Sequence, residues 1–346
     1  MLQNAFDIVI PLYKARWNTR AVLEGLSAQY RPRAIHVVAP APEAIALRET
    51  AKAWQLAPFL AHEEESFFQK GDLAHLSKDV ICAEIDLGES LYTPGWFYQQ
   101  LLKLGAPDGI AELSEWYVVW DSDLLPAETW PLLQGEGEKL QHSFALIQHN
   151  GWGNPNIVSK WAGWIRAVLN VEPLTDPEGT FVPHHMWFKQ EHLRSFKAQL
   201  GRYFQSEDNW LLLMMRSANE FGTFSEYWAY VSWVAAQVPG DLSFYPYDRY
   251  GSTTERFFDD GTGLFSAALR EFETAAGRVS KVGTDLAPSY DEVMAFIRAE
   301  YASGALPSSL SFESSPRHLK KNEATMHIEE KRSRWNPRNY ESELTP

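Results

Sequence analysis

The stretch Trp116-Tyr117-Val118-Val119-Trp120-Asp121-Ser122-Asp123-Leu124-Leu125-Pro126 decides the predicted fold. Its first five residues are apolar, and such a run of β-branched and aromatic residues is typical of a strand buried on both faces of a parallel sheet. Asp121 and Asp123 follow the run, and Pro126 ends the segment. Side chains two residues apart on extended backbone point the same way. We therefore expect both carboxylates to face one crevice at the carboxyl end of this strand.

The two carboxylates, Asp121 and Asp123, indicate a site for a divalent cation. Carboxylates placed this close repel each other unless a cation lies between them. Mg²⁺ and Mn²⁺ prefer oxygen ligands of this kind and commonly share them with substrate phosphates. The alternative is an acidic turn after a core strand, because Asp and Ser are ordinary turn formers. The local pattern alone leaves both interpretations open.

The composition is that of a globular chain with a large core. The length of 346 residues allows one large α/β domain with an elaboration, or two domains. Fourteen tryptophans are many, and tryptophan serves either to stack on the apolar faces of sugars or to fill the core. The net charge of −14 argues against broad nucleic-acid binding, which depends on neutralising phosphates.

The cellular location is predicted from cysteine use and from hydropathy. Cys82 is the single cysteine, so an internal disulfide is excluded and a reducing compartment is favoured. The sequence has no apolar run near the roughly 20 residues that span a bilayer, and no signal-peptide pattern at its start. We expect a soluble cytoplasmic protein and leave open a peripheral contact with the inner face of a membrane.

The first part of the chain alternates between strand and helix patterns. Strands are predicted over residues 6–13, 34–39 and 80–85, and helices over 16–30 and 43–54. Strands that alternate with helices at this spacing indicate a parallel sheet with right-handed crossovers. Pro94 opens a further helix, which ends at Gly105 and leads into the Trp116 strand.

The second part of the chain is less regular. It is predicted to hold strands over 143–148 and 181–188, and helices over 190–200, 210–217, from Ser225 onward and over 285–301. From residue 308 the composition changes to prolines, mixed charge and few large aliphatics, which indicates a lid, a docking arm or disorder. We predict a main domain over 1–240, an elaboration packed on it over 241–307, and a tail over 308–346.

Four segments follow one another in a characteristic order: Asp7-Ile8-Val9-Ile10-Pro11, then Gly95-Trp96-x-x-Gln99-Gln100-x-x-Lys103-Leu104, then Asp121-Ser122-Asp123, then Ser225-Glu226-Tyr227. Over residues 6–235 this combination resembles the DUF6492 group of GT-A-type glycosyltransferases, which are bacterial proteins. The resemblance implies a GT-A-like, Rossmann-like α/β fold with a mostly parallel sheet flanked by helices. A C-terminal helical elaboration and a tail would complete it. It also implies a nucleotide-sugar donor, an Asp-x-Asp metal motif and a place in bacterial polysaccharide biosynthesis.

The resemblance assigns the acidic pair to the donor site. Asp123 is expected to bind Mn²⁺ or Mg²⁺ directly, and Asp121 to hold the ribose or a metal-bound water. Such a metal ion stabilises the negative charge that a departing nucleoside diphosphate acquires.

The end of the first strand is predicted to bind the nucleotide. Pro11, Leu12, Tyr13 and Lys14 lie where nucleotides sit in open α/β sheets. Tyr13 is expected to stack on the base and Lys14 to approach the diphosphate. The alternative is a pair of residues on the rim that binds no ligand.

Gln99 and Lys103 are four residues apart on the predicted helix and therefore share one of its faces. If that face lies toward the donor, Lys103 is a fixed cation for the diphosphate or for the sugar. A solvated surface lysine is the alternative.

Two carboxylates are candidates for the base that activates the acceptor hydroxyl. Glu226 follows Ser225 at a helix start, where the cap and the helix dipole are expected to keep it ionised and to lower its pKa. A structural capping glutamate is the alternative. Asp208 is the second candidate, because Glu207-Asp208 resembles the Glu-Asp pair before a helix in inverting family-2 transferases. Its alternative is an exposed acidic loop.

Histidines supply the remaining candidates. His184 and His185 are adjacent, so their side chains diverge on an extended segment and one ion cannot easily take both. One of them is expected to line the acceptor site, and a hydrogen-bonded core position is the alternative for the other. A late histidine often completes the metal site in GT-A enzymes, and His318 in the basic run 317–321 is the candidate here. A solvated basic run is its alternative.

The predicted function is metal-dependent transfer of a sugar from a nucleotide donor to a glycan or lipid-linked saccharide acceptor. A sugar-nucleotide nucleotidyltransferase also needs acidic metal ligands, but the sequence shows no glycine-rich phosphate loop near its start. A non-catalytic carbohydrate-binding protein, with tryptophans as sugar platforms, is the alternative outside the enzymes.

Overall fold

A five-stranded sheet forms the centre of the computed structural model, which describes residues 6–16, 18–54, 56–87, 93–129, 133–136, 139–148, 155–175, 179–181, 184–246, 287–300 and 309–311. The strands are β1 (Asp7–Pro11), β2 (Ala34–Ala39), β3 (Phe59–Glu63), β4 (Trp116–Trp120), β5 (Leu124–Pro126), β6 (Leu133–Glu136), β7 (Lys139–Gln148), β8 (Gly179–Thr180), β9 (His185–Lys189), β10 (Leu242–Pro246) and β11 (Ser309–Ser311). The helices are α1 (Thr19–Tyr30), α2 (Ala41–Thr50), α3 (Lys78–Glu84), α4 (Pro94–Leu104), α5 (Ala106–Gly109), α6 (Pro155–Trp164), α7 (Gln190–Phe204), α8 (Trp210–Phe221), α9 (Glu226–Gln237) and α10 (Tyr290–Glu300).

The central sheet has the strand order β3-β2-β1-β4-β9. The pairs of β1 with β2, β1 with β4 and β2 with β3 are parallel, and β9 runs antiparallel to β4. This arrangement confirms the predicted α/β class with a mostly parallel sheet. Two smaller sheets join it, one with the order β10-β7-β6 and one that pairs β11 with β5.

Alternate residues of β4 reach two different hydrophobic clusters, one on each face of the sheet. Tyr117 and Val119 pack in the cluster that takes in α4, α7, α8 and α9. Val118 and Trp120 pack in the cluster that takes in α1, α2 and α10. All four side chains are completely buried, which confirms the predicted strand with two covered faces.

One predicted strand is wrong. Residues 80–85 lie in helix α3 and its C-terminal flank, and the third strand of the sheet is Phe59–Glu63. The side chain of Ser77 caps the helix by accepting a hydrogen bond from the backbone nitrogen of Val80. A short apolar run fits a buried helix turn as well as a strand, so its periodicity could not separate the two.

The chain returns to the main sheet region near its end. β11 pairs antiparallel with β5, with Leu310 opposite Leu125, and Leu310 is completely buried. These are residues of the predicted tail, whose boundary, like the other domain boundaries, stays a prediction. No helix among the described residues is long and apolar enough to cross a membrane.

Helix α10 packs closely on α1. The backbone nitrogen of Tyr290 donates to Glu24, and its hydroxyl donates to the carbonyl of Pro126 at 2.9 Å. Gly25 makes this approach possible, because a Cβ atom there would lie 2.7 Å from the Tyr290 ring. Helix α10 lies within the helix predicted over 285–301.

The burial of Leu310 leads to a stability prediction. Leu310→Ala is expected to lower the free energy of unfolding by about 2–5 kcal/mol, because it opens a cavity between β5 and its neighbours. Leu60→Ala on β3 is the matched control, since Leu60 is 45% exposed and its loss should cost less than about 1 kcal/mol. Urea unfolding measures both values. Equal losses would show that β11 does not contribute to the core.

Candidate functional site

The strand order reverses between β1 and β4, because β2 and β3 lie on one side of β1 and β4 lies on the other. Ligands of open α/β sheets bind at such a switch point, outside the carboxyl ends of the strands. We call the carboxyl ends of these two strands, with residues 11–14 and 121–123 that end or follow them, the switch-point edge. Of the predicted donor-site residues within the described part of the chain, all except Gln99 and Lys103 on α4 therefore lie at the one edge where the topology favours a ligand.

Both carboxylate oxygens of Asp121 form hydrogen bonds or ion pairs with other side chains of the protein. Oδ1 accepts from the Lys103 ammonium at 2.9 Å and from the Tyr227 hydroxyl at 3.0 Å. Oδ2 lies 3.3 Å from Nδ1 of His184. Burial raises the pKa of Asp121, but the Lys103 charge and the His184 hydrogen bond lower it by more and hold it well below its ordinary value. Asp121 is therefore a fixed, ionised carboxylate.

Lys103 lies inside the protein, with only 3% of its surface exposed. Its ammonium also contacts Glu226 at 2.8 Å and lies 4.4 Å from the centre of the Tyr227 ring. Burial opposes the charge, yet Asp121 and Glu226 together raise the pKa of Lys103 well above its ordinary value. The interpretation as a solvated lysine is wrong. A contact between Lys103 and the donor stays a prediction, as does one for the half-buried Gln99.

Glu226 is also buried, at 4% exposure. Ser225 caps α9 as predicted, by accepting from the backbone nitrogen of Trp228. The predicted lowering of the Glu226 pKa is wrong, because burial raises it and outweighs the stabilising charge of Lys103. In the amide orientation that satisfies both groups, the nitrogen of Gln100 donates to the Glu226 carboxylate. A base role for Glu226 stays a prediction.

These contacts join three parts of the chain in one cluster, which we call the buried network: Gln100, Lys103, Asp121, Glu226 and Tyr227. Gln100 and Tyr227 were not predicted as site residues. Each is adjacent to a predicted site residue in the motifs that carry the family resemblance: Gln100 follows Gln99, and Tyr227 follows Glu226. Gln100 also lies three residues before Lys103 on α4. That spacing is the signal in the sequence that could have identified Gln100.

The two adjacent histidines contact different groups, as the predicted divergence implies. His184 has a left-handed backbone conformation, with φ of 61°, and its carbonyl accepts from the backbone nitrogen of Asp121 at 2.8 Å. The ring of His185 stacks on Trp120 with 4.8 Å between the ring centres. A role for either histidine in acceptor binding stays a prediction.

The segment after β1 changes from buried to exposed at the switch-point edge. Pro11 and Leu12 are buried, and the backbone nitrogen of Leu12 donates to Val38 at 2.8 Å. Tyr13 is 78% exposed, and Lys14 is exposed beside it. An aromatic ring and a lysine are therefore exposed to solvent at the position where the nucleotide is predicted to bind.

Asp208 lies elsewhere. It is exposed in the loop before α8 and accepts from the Ser206 hydroxyl at 2.7 Å. Its neighbour Asn209 lines a cavity of about 240 Å³ together with Asp108, which precedes β4. The base role of Asp208 stays a prediction. His318 lies outside the described residues.

The carboxylates at the switch-point edge fit a metal ion that binds together with a substrate. Within the described ranges, no three histidine, cysteine, aspartate or glutamate side chains are grouped so that they could hold a metal ion by themselves. Asp123 is half-buried in the turn after β4 and can supply a carboxylate oxygen. Mg²⁺ is commonly bound by one or two carboxylates together with substrate phosphates, and such a site needs no protein cage.

The chain is similar to several solved structures of glycosyltransferases. One is mouse xyloside xylosyltransferase 1 in its apo form (10% identity, 69% of this chain and 84% of that chain, TM-score 0.37). The chain is also similar to core-mannan synthase A from Aspergillus fumigatus in its Mn/GDP form (7% identity, 70% and 73%, TM-score 0.42). A third is the galactosyltransferase LgtC with donor and acceptor sugar analogues (12% identity, 90% and 88%, TM-score 0.34).

No curated protein sequence matches the chain. The family model DUF6492, described as a family of unknown function, matches residues 18–256, which is more than half of the chain. The chain therefore belongs to the DUF6492 family.

Proposed function

We propose that this protein is a GT-A-type glycosyltransferase that moves a sugar from a nucleotide-sugar donor to a glycan or lipid-linked saccharide acceptor. One observation carries the proposal: the switch-point edge combines an exposed aromatic ring and a lysine after β1 with an acidic pair after β4. A nucleoside diphosphate needs these groups, namely a surface for its base, a cation for its phosphates, and a carboxylate for the metal ion that bridges them.

The residues after β1 have the chemistry for the nucleotide. The ring of Tyr13 is exposed enough to stack on a base, and Lys14 can approach the diphosphate from the same segment. Pro11 and Leu12 are buried and fix the backbone from which Tyr13 and Lys14 project.

The acidic pair has two different roles in this proposal. Asp123 would hold Mn²⁺ or Mg²⁺ together with the donor phosphates. When bound, the ion would stabilise the negative charge that develops on the departing diphosphate. Asp121 stays ionised beside it, and its negative charge adds to the field that attracts a cation to this edge.

In this proposal a carboxylate, either Glu226 or Asp208, activates the hydroxyl group of the acceptor. A base must come within hydrogen-bonding distance of the acceptor hydroxyl. Glu226 is buried and contacts the Lys103 ammonium at 2.8 Å, whereas Asp208 is exposed in the loop before α8. Glu226 therefore needs a movement of the chain before it can reach an acceptor hydroxyl, whereas Asp208 is already open to solvent.

Calorimetric titration of UDP and GDP, each with Mn²⁺ and with EDTA, tests the proposal. We expect one of the two nucleotides to bind only when Mn²⁺ is present. Mn²⁺ alone should bind weakly, because the described residues provide no cluster of three ligands. A carbohydrate-binding protein would show no metal-dependent nucleotide affinity, and a nucleotidyltransferase would release pyrophosphate from a nucleoside triphosphate and a sugar phosphate. Either result would contradict the proposal.

A further inference from the structure

The surroundings of Asp121 are unusual for a metal ligand. Three donors on three different segments already bind its two oxygens: Lys103 on α4, Tyr227 on α9, and His184 before β9. All three donors are at least nine-tenths buried by residue. Asp123, two residues later, is half-buried like Asp121 and lies in the turn itself.

We propose that Asp121 anchors the turn after β4 instead of binding the metal ion, and that Lys103 and Tyr227 are the positioning residues that hold it. Asp123 is then the single carboxylate of the pair that contacts the cation. This inference rests on the proposed function, because it assigns the roles within the donor site.

A metal ion on Asp121 would have to share one carboxylate with the Lys103 ammonium. Two cations this close repel strongly inside a protein. Lys103 cannot move away, since Glu226 holds its ammonium at 2.8 Å and the ring of Tyr227 lies 4.4 Å from it. A metal ion on Asp121 is therefore opposed by a positive charge that is fixed in place.

Further hydrogen bonds hold the turn at both of its ends. The backbone nitrogen of Asp121 donates to His184 at 2.8 Å, and its carbonyl accepts from Leu124 at 3.1 Å. The indole of Trp120 donates to the carbonyl of Leu124 at 2.7 Å. Asp123 lies between these fixed points, so its position depends on the hydrogen bonds that hold Asp121 and Leu124.

Three variants test the inference. Asp121→Asn keeps the shape of the side chain, and its carbonyl can still accept from Lys103 and Tyr227. Tyr227→Phe removes only the hydroxyl and keeps the ring beside Lys103. Tyr230→Phe is the matched control, because Tyr230 is also a fully buried tyrosine on α9, and its hydroxyl accepts from the backbone of Lys189 instead.

Two quantities are measured. Calorimetry gives the Kd of the nucleotide in saturating Mn²⁺, and electron paramagnetic resonance gives the number of Mn²⁺ ions bound per chain. We expect Asp121→Asn and Tyr227→Phe to bind one Mn²⁺ with the Kd raised roughly tenfold to a hundredfold, because the first removes the charge and the second removes one donor from the charge-assisted hydrogen bonds that hold Asp121. Tyr230→Phe should stay within about twofold of the wild type, although it loses a buried hydrogen bond of its own.

Two results would overturn the inference. If Asp121→Asn loses the bound Mn²⁺ altogether, Asp121 is a ligand. If Tyr227→Phe and Tyr230→Phe raise the Kd equally, Tyr227 has no positioning role beyond general stability. A wild-type protein that binds no nucleotide in the presence of Mn²⁺ is a different result, which overturns the proposed function and this inference with it.

Discussion

Asp123→Ala is expected to reduce sugar transfer on the order of 10³-fold or more and to remove the metal dependence of nucleotide binding. The reason is the loss of the one carboxylate after β4 that Lys103 does not hold. The fold should survive, because Asp123 is half-buried in a turn and its removal opens no cavity in either core cluster. Release of the nucleoside diphosphate from the donor, with and without acceptor, measures the rate.

The matched control for Asp123 is Asp291→Ala on α10, which removes an exposed aspartate far along the chain. It should leave transfer and nucleotide affinity unchanged. If Asp123→Ala retained a tenth of the wild-type rate, its role as a metal ligand would have to be abandoned.

Lys103→Met is expected to lower the free energy of unfolding by about 3–5 kcal/mol, which is a large part of the total stability of a typical domain. Without the ammonium, the Asp121 and Glu226 carboxylates remain buried near each other with no cation between them. Urea unfolding measures the loss. Lys52→Met is the control, because its ion pair with Glu49 lies on the surface and should contribute less than about 1 kcal/mol.

The destabilisation of Lys103→Met should depend on pH with a definite sign. In the variant, burial without a counter-charge raises the folded-state pKa of both carboxylates above their unfolded values. Such groups stabilise the fold while they are protonated and destabilise it as the pH rises. The difference from the wild type should therefore shrink toward low pH, where the wild type also loses the stabilisation from the lowered pKa of Asp121.

A second variant separates the charge effect from the loss of packing. The double variant Lys103→Met/Glu226→Gln removes one of the two uncompensated charges and should be more stable than Lys103→Met alone. A double variant that is less stable than the single one would show that the two carboxylates do not repel each other in the folded protein.

The sequence predicts the central strand and the position of the acidic pair well, for a physical reason. The run Trp116–Trp120 consists entirely of β-branched and aromatic residues, which favours a strand covered on both faces, and such a strand places Asp121 and Asp123 at its carboxyl end. The strand prediction for residues 80–85 failed because a short apolar run suits a helix turn equally well.

The buried network could not be predicted, because it depends on packing between distant segments. Lys103 and Glu226 are 123 residues apart in the chain, and nothing local indicates that α4 and α9 bring them together. The pKa of Glu226 was predicted in the wrong direction for the same reason. Its place after a helix cap was visible in the sequence, whereas its burial was not.

The hydrogen bond between Tyr290 and the carbonyl of Pro126 has a consequence for the newly synthesised chain. The two residues are 164 positions apart, and β11 reaches β5 later still. At the roughly 5–20 residues per second of protein synthesis, the ribosome needs about 10–30 s to pass from one to the other. During that time the strand beyond Asp123 lacks its final partners. A growing chain therefore carries Asp121 and Asp123 well before β5 acquires its contacts with α10 and β11, so the segment that follows the acidic pair is among the last parts of the fold to be completed.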